Sequence, residues 1–248
     1  MIKAVLFDLD DTLLDVNFTP FMVRYIAGFS SLIAKAARMP TVSLGIPISL
    51  SYLAMENEKR ADDLTNHELF VQVMKKKTGI PLDDPAFIDL LEYYDSQILP
   101  DLNGRIVDAH QQRGTKLAVE TVHNMGLTCA LATNPAFSLS CVKTRIGWAG
   151  LSPSDFVLIS HWDNSHRLKP SARFYQEFVN KLGYTCDECL MVGNDASRDF
   201  PRPDCGLRTA YVGRANPKRA VWRGSMYRFA DELPQIIDRL SRVDIQKK

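Results

Sequence analysis

The stretch that most constrains this chain lies at residues 5–15, where VLFDLDDTLLD places four aspartates directly after a run of apolar, strand-forming residues. A carboxylate at the end of a buried strand must be paired, hydrogen-bonded or bound to a metal, because an isolated buried charge is very costly. Asp8 stands at the end of that apolar run. The stretch therefore predicts a buried strand that ends in a carboxylate with a partner.

Short apolar runs alternate with helical patterns along most of the chain. The predicted strands are residues 4–9, 127–132, 156–160, 189–192 and 209–212. Between two of them, SARFYQEFVNKLG repeats Phe174, Phe178 and Leu182 at helical spacing, and Gly183 ends the pattern. Strands that alternate with helices predict an α/β fold, with a Rossmann-like, mostly parallel sheet flanked by helices.

The interval between the first two predicted strands is different, because it shows helical patterns and no convincing buried strand. Thr65 and Glu68 have the spacing of a capping box, and Gly79 follows as a C-terminal stop. We therefore predict an inserted α-helical cap domain over residues 18–97, with the catalytic core formed by residues 1–17 and 98–248.

Reactive side chains follow the predicted strands. They are Asp8, Asp10 and Thr12 after the first, Thr133 and Asn134 after the second, Lys169 after the third, and Asp195 and Asp199 after the fourth. A doubly wound sheet brings such strand ends into one crevice. Carboxylates that are this close cannot all stay ionised without a cation, and one lysine is insufficient. A divalent ion with oxygen ligands is the natural solution, and Mg²⁺ is the predicted cofactor.

The four motifs DLDDT, ATN, KP and GNDASRD resemble, in order, those of the haloacid dehalogenase superfamily. The resemblance covers the predicted core and implies a hydrolase with a helical cap after the first motif. It implies that Asp8 is a nucleophile that forms an aspartyl-phosphate. Asp10 would protonate the leaving oxygen and then activate water.

The resemblance implies the remaining roles as well. Thr133 and the backbone N–H of Asn134 would bind phosphoryl oxygens at the start of a helix, and Lys169 would hold the charge on nucleophile and phosphate. The predicted metal ligands are Asp8, Asp10 through its carbonyl, Asp195 and Asp199, the last acting through water or by orienting Lys169. Asp11 and Asp15 are interpreted as turn residues.

Three alternatives to a phosphatase stay open. A 2-haloacid dehalogenase displaces halide without protonation, and the pattern of that family lacks an aspartate where Asp10 stands. A phosphosugar mutase would keep Asp10, and a catalytically silent binding protein would keep the fold. We predict a Mg²⁺-dependent phosphatase of a small phosphomonoester, since water is the default acceptor and every catalytic position holds a competent residue.

Composition limits the partners of the chain. A net charge of +1 gives no bias toward nucleic acid. Five cysteines in a long chain do not resemble a disulfide framework and predict reduced thiols in a cytoplasmic protein. The apolar segment 39–55 contains two prolines and is too short to span a membrane. It is predicted to be a buried or substrate-facing segment. Residues 17–55 as a whole are predicted to form the cap's own core or a homodimer surface, with a wall for an apolar leaving group as the less favoured interpretation.

Overall fold

A parallel sheet lies at the centre of the computed structural model, which describes the backbone of residues 1–246 and the side chains of residues 1–242. Its strands run in the order β4 (Thr128–Leu131), β1 (Ala4–Phe7), β5 (Cys189–Gly193), β6 (Arg208–Val212) and β7 (Ala220–Gly224). Every neighbouring pair in this sheet is parallel. Asp8 follows β1 at the carboxyl edge, as predicted.

Helices flank this sheet. The helices that come after residue 111 are α5 (Thr115–Asn124), α6 (Leu139–Trp148), α7 (Ala172–Lys181) and α8 (Met226–Gln246). One hydrophobic cluster includes Phe7 and Phe229, and a second includes Leu6 and Phe178. Since the side chains of Leu6 and Phe7 point to opposite faces of the sheet, the two clusters cover both faces. The predicted α/β fold is confirmed.

A short antiparallel ribbon connects the sheet to the helical segment. It pairs β2 (Leu14–Val16) with β3 (Ala109–Gln111). Between them lie α1 (Phe18–Ala37), α2 (Gly45–Glu56), α3 (Asn66–Thr78) and α4 (Pro85–Tyr93). The predicted capping box of α3 is present, and Gly79 ends the helix in the left-handed conformation at φ 77°. The segment is helical as expected, whereas the division into domains at residues 17/18 and 97/98 stays a prediction.

The strand predictions need two corrections. Residues 156–160 do not form a strand, although they run beside β4 with one isolated bridge between Leu131 and Ile159. A 3₁₀ turn at Pro153–Asp155 precedes them and Trp162–Asn164 forms another directly afterwards, so the extended piece is too short for a ladder. β2, β3 and β7 were not predicted; β7, with the sequence AVWRG, is only partly buried and shows no apolar alternation.

All five cysteines lie among the described residues and are free thiols. No helix in the described part of the chain combines the length and the apolarity that a membrane crossing requires.

Candidate active site

Asp8 is held at the carboxyl edge of the sheet by the backbone and by the turn that follows it. Its N–H donates to the carbonyl of Val192 on the adjacent strand β5 at 2.9 Å. The hydroxyl of Thr12 donates to Asp8 Oδ2 at 3.2 Å. Asp11 makes the turn possible by adopting a left-handed φ of 56°. The DLDDT motif therefore folds back on itself and fixes the carboxylate of Asp8.

Lys169 neutralises two of the predicted carboxylates. Its Nζ donates to Asp8 Oδ1 at 2.8 Å and to Asp199 Oδ1 at 2.7 Å, and the residue is only 2% exposed. Burial alone would lower the pKa of Lys169, but Asp199 and Asp8 raise it. Burial raises the pKa of Asp8, and the lysine opposes that rise. The structure thus places Lys169 between the predicted nucleophile and the last aspartate of the GNDASRD motif.

Asp10 pairs with a different cation, Arg145 of α6. Arg145 Nη1 donates to Asp10 Oδ2 at 2.6 Å, and the arginine side chain is fully buried. Burial raises the pKa of Asp10, while the arginine lowers it in part. Asp10 Oδ1 is buried and has no hydrogen-bond partner among the described residues. The proton shuttle predicted from the sequence is therefore anchored by one oxygen only.

Arg145 was not predicted, because CVKTRIGW reads as an ordinary helix with a basic residue in its last turn. Its guanidinium carbon lies 4.5 Å from the ring centroid of Phe137 and 5.4 Å from that of Phe21. Aromatic faces attract a guanidinium through their quadrupole. The apolar neighbours Val142 and Ile146 could have placed residue 145 on the buried face of α6. They could not have identified Asp10 as the partner of Arg145.

Thr133 and Asn134 lie in the loop after β4. Thr133 is 1% exposed, and Asn134 Oδ1 accepts a hydrogen bond from the Lys169 backbone N–H at 3.2 Å. The helix that follows begins only at Leu139, with Ser138 as its N-cap. The predicted helix start at this position was wrong, because residues 135–138 form an irregular turn first. Whether the pair binds phosphate stays a prediction.

The two aspartates of GNDASRD have different surroundings. Asp199 Oδ2 accepts the Asp195 N–H at 2.8 Å, and burial raises the pKa of Asp199 to about 6. Asp195 Oδ1 accepts from Ser197, whose hydrogen bonds lower the pKa of Asp195 against the effect of burial. At Gly193 a Cβ would lie 2.2 Å from Asp199 Oδ2, so only glycine leaves room for this arrangement.

A cavity of about 410 Å³ joins these groups. The predicted residues on it are Asp8, Asp10, Thr133, Asn134, Lys169, Asp195 and Asp199. All the predicted catalytic, phosphate-binding and metal-ligating side chains therefore face one space. Their roles stay predictions, whereas their proximity is a structural finding.

Comparison with known proteins identifies the family. A model of haloacid dehalogenase-like hydrolases matches residues 2–201. The chain belongs to this hydrolase family. No curated protein matches the chain significantly.

Solved structures of haloacid dehalogenase-like proteins share the fold at low identity. A HAD phosphatase from Thermococcus onnurineus is 18% identical, with 95% of this chain and 98% of that chain covered and a TM-score of 0.56. A β-phosphoglucomutase from Clostridium difficile is 16% identical (99% and 100% covered, TM-score 0.56). An L-2-haloacid dehalogenase from Xanthobacter autotrophicus is 15% identical (94% and 99% covered, TM-score 0.53). These similar structures include a phosphatase, a mutase and a dehalogenase, so the similarity does not distinguish among the three activities.

The oxygen donors of this haloacid dehalogenase-like site suit a hard cation. No group of three or more His, Cys, Asp or Glu side chains in the described residues is arranged to hold a metal ion. Both oxygens of Asp199 are used by Lys169 and by the Asp195 N–H, and its side chain is 1% exposed against 12% for that of Asp8. The side chain of Asp10 pairs with Arg145, whereas its backbone carbonyl stays a predicted ligand. Mg²⁺ is commonly held by only one or two carboxylates, with waters and substrate phosphate. Asp8 and Asp195 fit that requirement in donor chemistry, and Asp199 fits better as the residue that orients Lys169.

The histidines near the site have protein partners. His161 Nδ1 lies 3.1 Å from Asp163 Oδ2, and His166 Nδ1 lies 3.0 Å from Glu177 Oε2. Neither histidine lines the cavity that holds Asp8. These contacts stabilise the loop and the surface on which the two histidines lie.

Proposed function

We propose that the protein is a Mg²⁺-dependent phosphatase that hydrolyses a small phosphomonoester through an aspartyl-phosphate. The observation that carries the proposal is that Asp10 lines the same cavity as Asp8 and Lys169. An alkoxide leaving group benefits from a proton donor at that place, whereas a halide does not. Asp10 therefore favours phosphoryl transfer over carbon–halogen cleavage.

The first half of the reaction transfers the phosphoryl group to the protein. Asp8 attacks phosphorus, the bond from phosphorus to the leaving oxygen breaks, and Asp10 gives its proton to that oxygen. Lys169 stabilises the negative charge on the phosphoryl oxygens and on Asp8. Bound Mg²⁺ would supply further neutralisation of phosphate charge, held by Asp8 and Asp195.

The second half releases phosphate. Asp10, now ionised, takes a proton from water while the water oxygen attacks phosphorus, and the bond between Asp8 and phosphorus breaks. Arg145 holds Asp10 Oδ2 at 2.6 Å and so fixes the position of the carboxyl group that carries the proton in both directions. Inorganic phosphate and the alcohol are the products.

Turnover of phenyl phosphate with Mg²⁺ tests the proposal. Asp8→Asn should reduce kcat by at least about 10⁴-fold, because it removes the nucleophile. EDTA should abolish turnover, and added Mg²⁺ should restore it. Asp15→Asn is the matched control, since Asp15 belongs to the same sequence stretch but is exposed and pairs with His110.

Two further readouts separate the alternatives. Release of chloride from 2-chloropropionate without metal would overturn the proposal in favour of a dehalogenase. Dependence of turnover on an added sugar bisphosphate would indicate a mutase. Full phosphatase activity of Asp8→Asn would remove Asp8 as the nucleophile.

A further inference from the structure

The cavity that holds Asp8 has two chemically different sides. The sheet side carries the acidic and amide groups described above. The helical side is formed by Phe18 and Met22 of α1 and by Tyr52 and Glu56 of α2. Phe137, from the loop before α6, completes it. Apart from Glu56, this wall is apolar or aromatic.

The wall is backed by packed aromatic rings. Phe137 is 3% exposed, and its ring centroid lies 5.5 Å from that of Tyr25, 5.9 Å from that of Phe21 and 6.4 Å from that of Tyr52. Offset and edge-to-face rings at such distances stabilise each other. The aromatic surface that faces the cavity is therefore held in place before any ligand binds.

Positive charge is scarce on this surface. Among the described residues that line the cavity, Lys169 and Arg198 are the cations. Lys169 donates hydrogen bonds to Asp8 and Asp199, and Arg198 forms an ion pair with Glu56 at 3.0 Å. Arg113 and Arg214 line a neighbouring cavity beyond Asp11 and Asn194, to which α1 and α2 contribute nothing among the described residues. A second neighbouring cavity shares Glu56, Lys169 and Arg198 with this one and is also lined by Arg167 and Arg202. The part of the wall formed by Phe18, Met22, Tyr52 and Phe137 carries no charge of its own.

We propose that the leaving group of the substrate is a flat, apolar alcohol of the aryl or benzyl kind. Its ring would lie against Met22, Tyr52 and Phe137 while its phosphate lies at Asp8 and Lys169. A volume of about 410 Å³ lies within the range of small-molecule sites. This inference rests on the proposed phosphatase function, and it favours the wall for an apolar leaving group over the purely structural role predicted for residues 17–55.

Two primary phosphate esters test the substrate class. Benzyl phosphate and glucose 6-phosphate both release a primary alcohol, so their intrinsic reactivities are similar and the comparison reports recognition. We expect kcat/KM for benzyl phosphate to exceed that for glucose 6-phosphate by about 10-fold or more, the range that one apolar group in a fitted pocket supplies.

Variants of the wall locate the effect. Tyr52→Ala and Met22→Ala should raise KM for benzyl phosphate about 10-fold with a smaller change in kcat, and should change kcat/KM for glucose 6-phosphate by a smaller factor. Tyr52→Phe should retain the preference. Leu53→Ala and Val23→Ala are matched controls, because these neighbours are 64% and 61% exposed and do not line the cavity.

A binding measurement keeps this inference separate from turnover. In Asp8→Asn, benzylphosphonate should bind more tightly than inorganic phosphate by calorimetry, and Tyr52→Ala should remove the difference. Hydrolysis of glucose 6-phosphate as efficient as that of benzyl phosphate, with Tyr52→Ala without effect, would overturn the substrate class and leave the phosphatase standing. Tight benzylphosphonate binding without hydrolysis of either ester would support the apolar site and overturn the phosphatase.

Discussion

Two buried cations serve the two aspartates of the DLD motif, and they do so in different ways. Lys169 lies between two carboxylates, with contacts of 2.8 and 2.7 Å to Asp8 and Asp199. Arg145 has one carboxylate partner, Asp10, and its Nε and Nη2 find no hydrogen-bond acceptor within the described part of the chain. Where Lys169 has a second carboxylate, Arg145 has the rings of Phe21 and Phe137.

The difference follows from the two side chains. A lysine ammonium is a compact point charge that needs several acceptors, whereas a guanidinium is planar, weakly hydrated and stacks on aromatic faces. The proposed nucleophile, Asp8, is thus paired with a cation that a second carboxylate holds, which would keep the charge in place when phosphate binds. The proposed proton shuttle, Asp10, is paired with a cation held by Phe137, next to the apolar wall of the cavity.

Removing Lys169 should have the largest effect. Lys169→Met would leave Asp8 and Asp199 as buried carboxylates without their cation, and kcat should fall about 100- to 1,000-fold as a charge-stabilising donor is lost. The free energy of unfolding should fall by about 3–5 kcal/mol, the range for breaking a buried ion pair. Steady-state kinetics on phenyl phosphate and urea unfolding measure the two effects.

Lys143→Met is the control for that variant, because Lys143 is exposed on α6. Lys143→Met should change neither kcat nor the free energy of unfolding appreciably. A Lys169→Met protein with near-normal kcat would show that the motif lysine is dispensable and would remove the asymmetry between the two cations.

Arg145→Met should have a smaller effect, because it frees one carboxylate that already borders the cavity. We expect kcat to fall about 10- to 100-fold with little change in KM, since Asp10 keeps its acid–base chemistry but loses its anchored position. Arg145→Lys should restore part of kcat by returning a charge near Asp10 Oδ2. Arg145 therefore acts on the reaction through Asp10 and is a positioning residue.

The pair of variants distinguishes positioning from bulk stability. If Arg145→Met and Arg145→Lys lose stability equally but only the first loses kcat, positioning is supported. An equal loss of kcat in both, or a loss confined to KM, would contradict it. Combining Arg145→Met with Asp10→Asn should add little to the kcat loss of Asp10→Asn alone, because coupled residues are not additive.

The contrast also shows what the sequence could predict. Lys169 was found because KP is one of four ordered motifs, and β1, β4, β5 and β6 were found because buried parallel strands read as apolar runs. Arg145 carries no such signal, since its partner Asp10 is 135 residues away along the chain and its ring contacts depend on how α1 packs. The strand predicted at residues 156–160 failed for a related reason, because the flanking 3₁₀ turns are decided by tertiary packing.

The smallest effect concerns Asp95, which lies in the π-helical turn Tyr94–Ile98 near Arg145. Burial raises the pKa of Asp95 to about 6; the groups that also act on it are Ser138, Tyr25, Glu92 and Arg145. The folded protein therefore keeps this carboxyl protonated up to about pH 6, whereas the unfolded chain loses the proton near pH 4. The stabilising contribution is complete below pH 4 and is lost as the pH rises through 6.

Asp95→Asn removes this dependence. The difference in unfolding free energy between variant and parent should move in favour of the variant by up to roughly 3 kcal/mol between pH 4 and pH 7.5. Urea unfolding at the two pH values measures it, with Asp89→Asn on the exposed side of α4 as the control. Parallel pH curves for variant and parent would mean that Asp95 is ionised in the folded state. Arg145, whose charge acts on Asp95, would then lie near two carboxylate charges, as Lys169 does.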